Sequence, residues 1–177
     1  RLLYVEGSPR WDYKYLRRAL LGDRQTSPSI FYTGPDGKPR AGISGSLDSA
    51  DMGADQLTQF KVVILGNLSQ EELEEGRASN LVDFVEAGGS LVLMGGGRAW
   101  GAEGLPLGGL AKVLPFKGSP GTVVQGDQPF PMRLTDTGRA HQAFAGDASF
   151  WEIVPPVLTV FPVEGLSPAA QVLVAAD

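Results

Sequence analysis

The sequence contains no cysteine and only one histidine, His141. The first absence removes disulfides, thiolate metal ligands and every mechanism that runs through a thiol nucleophile, while leaving the redox compartment open. The second leaves one imidazole as a candidate base, and a triad would need it beside a hydroxyl and a carboxylate. One histidine among dispersed carboxylates has no metal-ligand spacing, so no metal and no other cofactor is expected. Long apolar runs are missing as well. Nothing approaches the roughly 18 consecutive apolar residues of a membrane span, and no basic-then-apolar signal peptide leads the chain. Clustered cations are scarce: the net charge is −5 and the basic residues are scattered. That argues against nucleic acid as a partner, because phosphate contacts need grouped Lys and Arg. The one group, Lys14, Arg17 and Arg18, falls at helical spacing and reads as a solvated face.

What is present suffices for a folded domain. The 177 residues are 42% hydrophobic, enough for a core and within the size of one domain of about 100–200 residues. A single domain spanning 1–177 is the expectation. Strand-like residues stand at both ends (Leu2 to Val5, Val172 to Val174), as in a piece of a longer chain whose targeting or membrane-anchoring segments lie outside it. Leu2 to Val5 reads as a strand, followed by a turn at Glu6 to Pro9. Ser8 is a candidate cap and Pro9 suits a first helical turn. Trp11, Tyr15, Leu16, Ala19 and Leu20 recur at helical spacing up to Gly22, with Trp11 read as a core anchor and Asp12 as a first-turn residue complementing the helix dipole. Ser29 to Thr33 is a second strand. Gly34 to Ala54, rich in Gly, Pro, Asp and Ser, reads as a long loop, and Gln56 to Phe60 leads onward from it. Lys61 to Gly66 is continuous Val-Ile-Leu, the pattern of a strand covered on both faces. Ser69 and Glu72 form a capping box opening a helix to Ala87, with Leu73, Leu81, Phe84 and Val85 inward and Gly76 weakening its middle. Ser90 to Met94 is the next strand. This alternation predicts a mostly parallel sheet with helices on both faces. From Pro115 onward the pattern changes to Pro- and Gly-rich sequence with short β-like runs at Thr122 to Gln125, Val157 to Phe161 and Gln171 to Val174. These add extra strands and loops, after a short helix within Leu105 to Val113.

The segment with most bearing on function is GGSLVLMGGGRAWG, Gly88 to Gly101, a buried strand ending in a glycine-rich turn. In open parallel sheets ligands bind outside the carboxyl ends of the strands. That edge would gather Glu6, Arg10, Asn67, Gly95, Gly96, Gly97, Arg98 and Trp100 as a candidate ligand site. Backbone amides at a glycine turn can approach an anion; equally, the glycines can serve only a tight turn. The turn lacks the Gly-Lys-Ser/Thr ending of a P-loop, the first strand–helix unit lacks G-x-G-x-x-G, and no G-x-S-x-G elbow occurs.

Three segments together, LLYVEGSPRWDYKYLRRAL, KVVILGNLS and LVDFVEAGGSLVLMGGGRAWG, with the later LTDTGRAHQAF (Leu134 to Phe144), resemble the class I glutamine amidotransferase-like domains of large bacterial membrane proteins, often combined with von Willebrand factor A-type domains. The resemblance covers most of the chain. It implies a flavodoxin-like three-layer α/β/α fold and a membrane-associated protein, with this domain periplasmic or extracellular and the membrane reached only through segments outside these residues. True class I enzymes hydrolyse glutamine with a Cys-His-Glu triad whose cysteine sits on a strand–helix elbow. The corresponding elbow here is Met94-Gly95-Gly96-Gly97, and His141 is followed by Gln142 and Ala143 rather than by a His-x-Glu pair. The resemblance thus carries the fold without the chemistry. It points to a non-catalytic module that binds a small polar ligand, a sugar or a protein segment. The alternative is a hydrolase with a Ser, Asp or Glu nucleophile at the same edge.

Overall fold

A computed structural model of the chain describes residues 1–43, 45, 47–69, 71–100, 107–117, 124–144, 150–163 and 165–176. They form two compact units, Arg1–Val113 and Leu114–Asp177. The boundary lies one residue from Pro115, where the composition changes.

The first unit runs β1 (Leu2–Glu6), α1 (Trp11–Gly22), β2 (Pro28–Thr33), β3 (Pro39–Ile43), α2 (Ala54–Leu57), β4 (Val62–Gly66), α3 (Glu75–Glu86), β5 (Ser90–Met94), α4 (Gly97–Trp100) and α5 (Leu107–Leu110). Its five strands are ordered β3-β2-β1-β4-β5. β2, β1, β4 and β5 pair in parallel, and β3 returns antiparallel along β2. A mixed α/β fold with a mostly parallel sheet is therefore correct. Because side chains alternate across a strand, Leu2, Tyr4, Ile30 and Ile64 share one face. That face packs against Tyr13, Leu16 and Leu20 of α1 and against Ile43, Val62 and Met94. The alternate residues Leu3, Val5, Phe31, Val63 and Leu65 are buried too, so both faces are covered, as the uninterrupted apolar runs require.

Several local expectations are corrected. Arg10, not Ser8, is the N-cap of α1, in extended backbone and with no side-chain cap bond; Asp12 does fall in the first turn. Trp11 is no core anchor: it is 68% exposed and stacks on Tyr15, itself 59% exposed. The stripe against the sheet is Tyr13, Leu16 and Leu20, all partly buried: Leu16 and Leu20 fall in the expected set, Tyr13 packs inward where Trp11 and Tyr15 do not, and Ala19 is exposed. The loop expected over Gly34 to Ala54 contains β3, joined to β2 by a turn closed by the Gly34 amide on the Lys38 carbonyl (2.8 Å), with Gly37 at φ +73°. Gln56 falls in the one-turn α2. α3 begins at Glu75, so Gly76 lies in its first turn rather than its middle. β5 is half-buried rather than buried, because it is the outermost strand of the five and leaves Val92 43% exposed.

The second unit contains β6 (Phe116–Lys117), β7 (Val124–Phe130), β8 (Met132–Leu134), α6 (Asp136–Ala140), α7 (Phe150–Ile153), β9 (Val157–Val160), β10 (Gly165–Leu166) and β11 (Val174–Ala176). The strands pair antiparallel as β6–β10, β7–β9 and β8–β11. The expected run at Thr122 to Gln125 lies partly outside the described residues. Thr135 caps α6 by accepting the Gly138 amide (2.9 Å).

Candidate functional site

Because β2, β1, β4 and β5 run parallel, their carboxyl ends lie at one edge of the sheet. In the chain order found here, β2 and β4 flank β1 on opposite sides, so the chain reverses its winding at β1. Outside such a reversal lies the crevice where open α/β sheets bind ligands. The residues that follow β1, β4 and β5 meet there.

Glu6 ends β1 and is fully buried. Its carboxylate accepts from the Tyr4 hydroxyl on Oε2 (2.5 Å) and from Arg10 Nε on Oε1 (3.2 Å). Burial pushes the Glu6 carboxyl above the ordinary range; the bond from Tyr4 and the Arg10 charge oppose that rise without cancelling it. The Tyr4 phenol is driven far up, first by burial and then by its bond to Glu6. It is thus a fixed donor at any physiological pH. Gly66 follows from the same crowding, since a Cβ there would collide with the Glu6 carboxylate.

Arg10 reaches across the edge. Its Nη1 donates to the Gly95 carbonyl (2.7 Å) and pairs with Asp12 (3.4 Å). Its Nη2 is buried with no hydrogen-bond partner among the described residues. Asn67 follows β4 at φ +49°, a left-handed conformation asparagine tolerates better than most residues. Its Oδ1 accepts the amides of Arg98 (3.0 Å) and Ala99 (3.2 Å), capping α4 from a remote part of the chain. A Cβ on Gly96 would collide with that same Oδ1 and stand 3.0 Å from Arg10 Nη1. Gly96 is therefore glycine because two side chains occupy the space above it. None of Gly95, Gly96 and Gly97 has a positive φ, so close approach rather than an unusual backbone explains the middle one. Arg98 closes the network: Nη1 donates to the Gly7 carbonyl (2.6 Å) and Nη2 pairs with Glu72 (3.0 Å).

The structure thus brings together Glu6, Arg10, Asn67, Gly95, Gly96 and Arg98. Gly97 opens α4 and has open space about its Cα; Trp100 ends that helix, and its side chain lies outside what is described. Three participants were not anticipated. Tyr4 shares a face with the core and looked purely apolar. Thr33 donates to Glu72 Oε1 (2.6 Å). Glu72 itself was visible only as half of a capping box. That box forms in part, since the Ser69 amide and hydroxyl both donate to Glu72 Oε2 (2.9 and 3.1 Å). It closes a turn ahead of α3 rather than the helix itself.

His141 belongs to the second unit. It ends α6, its Nδ1 accepts the Ala143 amide (3.2 Å), and its ring faces Phe144. Among the described residues no group of three or more His, Cys, Asp or Glu is arranged to hold a metal ion. No helix among them is long and apolar enough to cross a membrane. No protein-family model, curated protein or solved structure matches the chain.

Proposed function

We propose that the first unit is a flavodoxin-like, three-layer α/β/α domain of the class I glutamine amidotransferase-like kind that has lost its catalytic residues, and that the chain serves as a non-catalytic binding module. The parallel order β2-β1-β4-β5, with helices in the crossovers, supports the fold. One observation carries the functional reading: at the end of β5, where an amidotransferase presents its cysteine, the chain has glycine, and the space above Gly96 is taken by Asn67 and Arg10. A nucleophile needs an exposed side chain on a strained turn. Here the turn has no side chain, and the Gly95 carbonyl is held by a guanidinium. The edge carboxylates are likewise engaged, Glu6 by two donors and Glu72 by bonds from Thr33, Ser69 and Arg98, which weighs against the alternative of a carboxylate-driven hydrolase.

The buried Arg10 Nη2 supports the binding role, because it is a donor without a partner among the described residues and an acceptor admitted beside it would satisfy it. In this reading the ligand is a small polar molecule, a sugar or a protein segment, and the module belongs to a membrane-associated, envelope-facing protein. Incubation with glutamine tests it. Ammonia release is expected to equal that of the heat-denatured chain, and Gly95→Cys alone is expected not to raise it. Thermal-shift screening against sugars, amino acids and short peptides is expected to find a stabilising ligand, since anything bound only to the native state raises its melting point. That shift should shrink in Arg98→Ala. Ammonia release above the denatured control would refute the proposal.

A further inference from the structure

α1 covers the sheet where β1, β2 and β4 present Leu2, Tyr4, Ile30 and Ile64. The antiparallel β3 carries the sheet one strand beyond β2, and a notch of about 380 Å³ remains between the start of α1 and the β2–β3 hairpin. Pro9, Tyr13, Lys14 and Arg17 line it from the helix side, and Tyr32, Ala41 and Gly42 from the strands. None of these residues belongs to the Glu6–Arg98 network.

The lining has one electrostatic sign. In a chain of net charge −5, the described lining has two cationic residues, Lys14 and Arg17, and no carboxylate. Neither Lys14 nor Arg17 makes an ion pair with another described residue. The Lys14 ammonium instead lies 4.6 Å from the Trp11 ring centre and 5.9 Å from that of Tyr15. Neither ring lines the notch and both are largely exposed, so they hold the ammonium without neutralising it, and it leaves them to reach a group bound in the notch. Two phenols complete the polar lining: the Tyr13 ring stands 5.9 Å from Tyr4 and 5.4 Å from Tyr32, and burial raises its hydroxyl above the ordinary range, so it stays a neutral donor. Gly42 makes room for that hydroxyl, because a Cβ there would stand 2.8 Å from Tyr13 Oη.

Two cations without an ion-pair partner among the described residues, beside phenolic donors, match a group with more than one negative charge and several acceptor oxygens. A carboxylate supplies one charge and would leave a cation unbalanced. A phosphate monoester supplies about −1.5 to −2 and three oxygens. We propose that the notch between α1 and the β2–β3 hairpin binds a phosphate monoester, with Lys14 and Arg17 on the phosphate and the Tyr13 and Tyr32 rings beside its organic part. The volume suits a small ligand, being near the lower end of ordinary pockets at roughly 300–1000 Å³. The ester is either a soluble molecule or a lipid headgroup, and the two are separable.

The test titrates the full chain with phenyl phosphate, with benzoate as the singly charged control, and measures sedimentation with phosphatidylcholine vesicles with and without phosphatidic acid. Saturable binding of phenyl phosphate, stronger than of benzoate and weakened by added salt as charge pairing requires, is the expected result for a soluble ester. Binding confined to the phosphatidic-acid vesicles assigns a lipid headgroup. In either case Lys14→Gln and Arg17→Gln, both at the helix surface, are each expected to weaken binding about tenfold, and Gly42→Ala to weaken it by displacing the Tyr13 hydroxyl. Absence of binding in both arms overturns the proposal. So does binding that survives the double Lys14→Gln, Arg17→Gln variant with its melting point unchanged, or benzoate binding as tightly as phenyl phosphate.

Discussion

Asn67 is where the proposed loss of catalysis can be measured as stability. Its side chain caps α4 from 31 and 32 positions away in sequence, and its backbone is left-handed at φ +49°. Asn67→Ala removes the acceptor of two amides, a cap loss of about 1–2 kcal/mol. It also places a β-carbon residue without a compensating side chain in the left-handed region, at roughly 1–2 kcal/mol more. The total is about 2–4 kcal/mol, equivalent at 1.4 kcal/mol per decade to an opening equilibrium about 30- to 700-fold more populated. Asn67→Asp keeps the acceptor and the backbone tolerance, so it is expected to stay close to the parent. Asn67→Gly loses the cap but relieves the backbone, and should fall between the two. Because the chain forms two compact units, a single melting curve is a poor readout. Native-state hydrogen exchange of the β1 and β4 amides reports the first unit directly. Equal exchange in the Ala and Asp variants would refute the capping role, and a Gly variant as unstable as Ala would refute the strain argument.

Two other predictions concern burial. The Glu6 carboxyl binds protons more tightly folded than unfolded, so the native state holds more protons as pH climbs past the ordinary carboxylate range. Its contribution is therefore greatest below about pH 4.5 and is lost as pH rises through the folded value. Glu6→Gln is expected to flatten the decline of β1 protection with rising pH in exchange rates corrected for intrinsic pH dependence, and an unchanged profile would refute the assignment. Leu81 is fully buried and Trp11 largely exposed: Leu81→Ala is expected to cost about 2–5 kcal/mol and Trp11→Ala no more than about 0.5 kcal/mol, read by the same exchange measurement, with comparable costs refuting the assigned helix faces.

Periodicity carried much of the fold. The continuous apolar runs at Leu2 to Val5 and Val62 to Leu65 could be satisfied only by coverage on both faces, and they identified the two central strands. β3 escaped because Pro39-Arg40-Ala41-Gly42-Ile43 has a single β-branched residue and is largely exposed, with Ile43 packed against the core. Its signal was the turn before it: Gly34-Pro35-Asp36-Gly37-Lys38 is a hairpin-type sequence directly after a strand, and the turn bond is made. The facing of α1 was legible in part: Leu16 and Leu20 pack on the sheet as expected, whereas Trp11 and Tyr15 do not. Trp11, Tyr15, Tyr13, Leu16 and Leu20 give that helix two apolar stripes, and composition alone cannot choose between them. The sheet chose, because Tyr13 fits between Tyr4 and Tyr32. At the candidate site, chain order and strand ends located most of the residues, whereas the bonds among them depend on side-chain reach that spacing does not encode.

Those bonds limit how the edge can bind anything. Arg98 donates to Gly7 and pairs with Glu72, and Asn67 spends its carbonyl oxygen on two amides. A ligand that engages these groups must first break a bond of similar strength, and the exchange returns little net free energy. A donor with no such bond gives the full gain, and Arg10 Nη2 is the group at this edge in that position among the described residues. Recognition here should therefore depend on one acceptor placed against Arg10. Truncating Arg98 would then reduce affinity through the loosened turn at Gly7 rather than through a lost contact. Restoring the turn by a second substitution, without restoring the guanidinium, should recover binding.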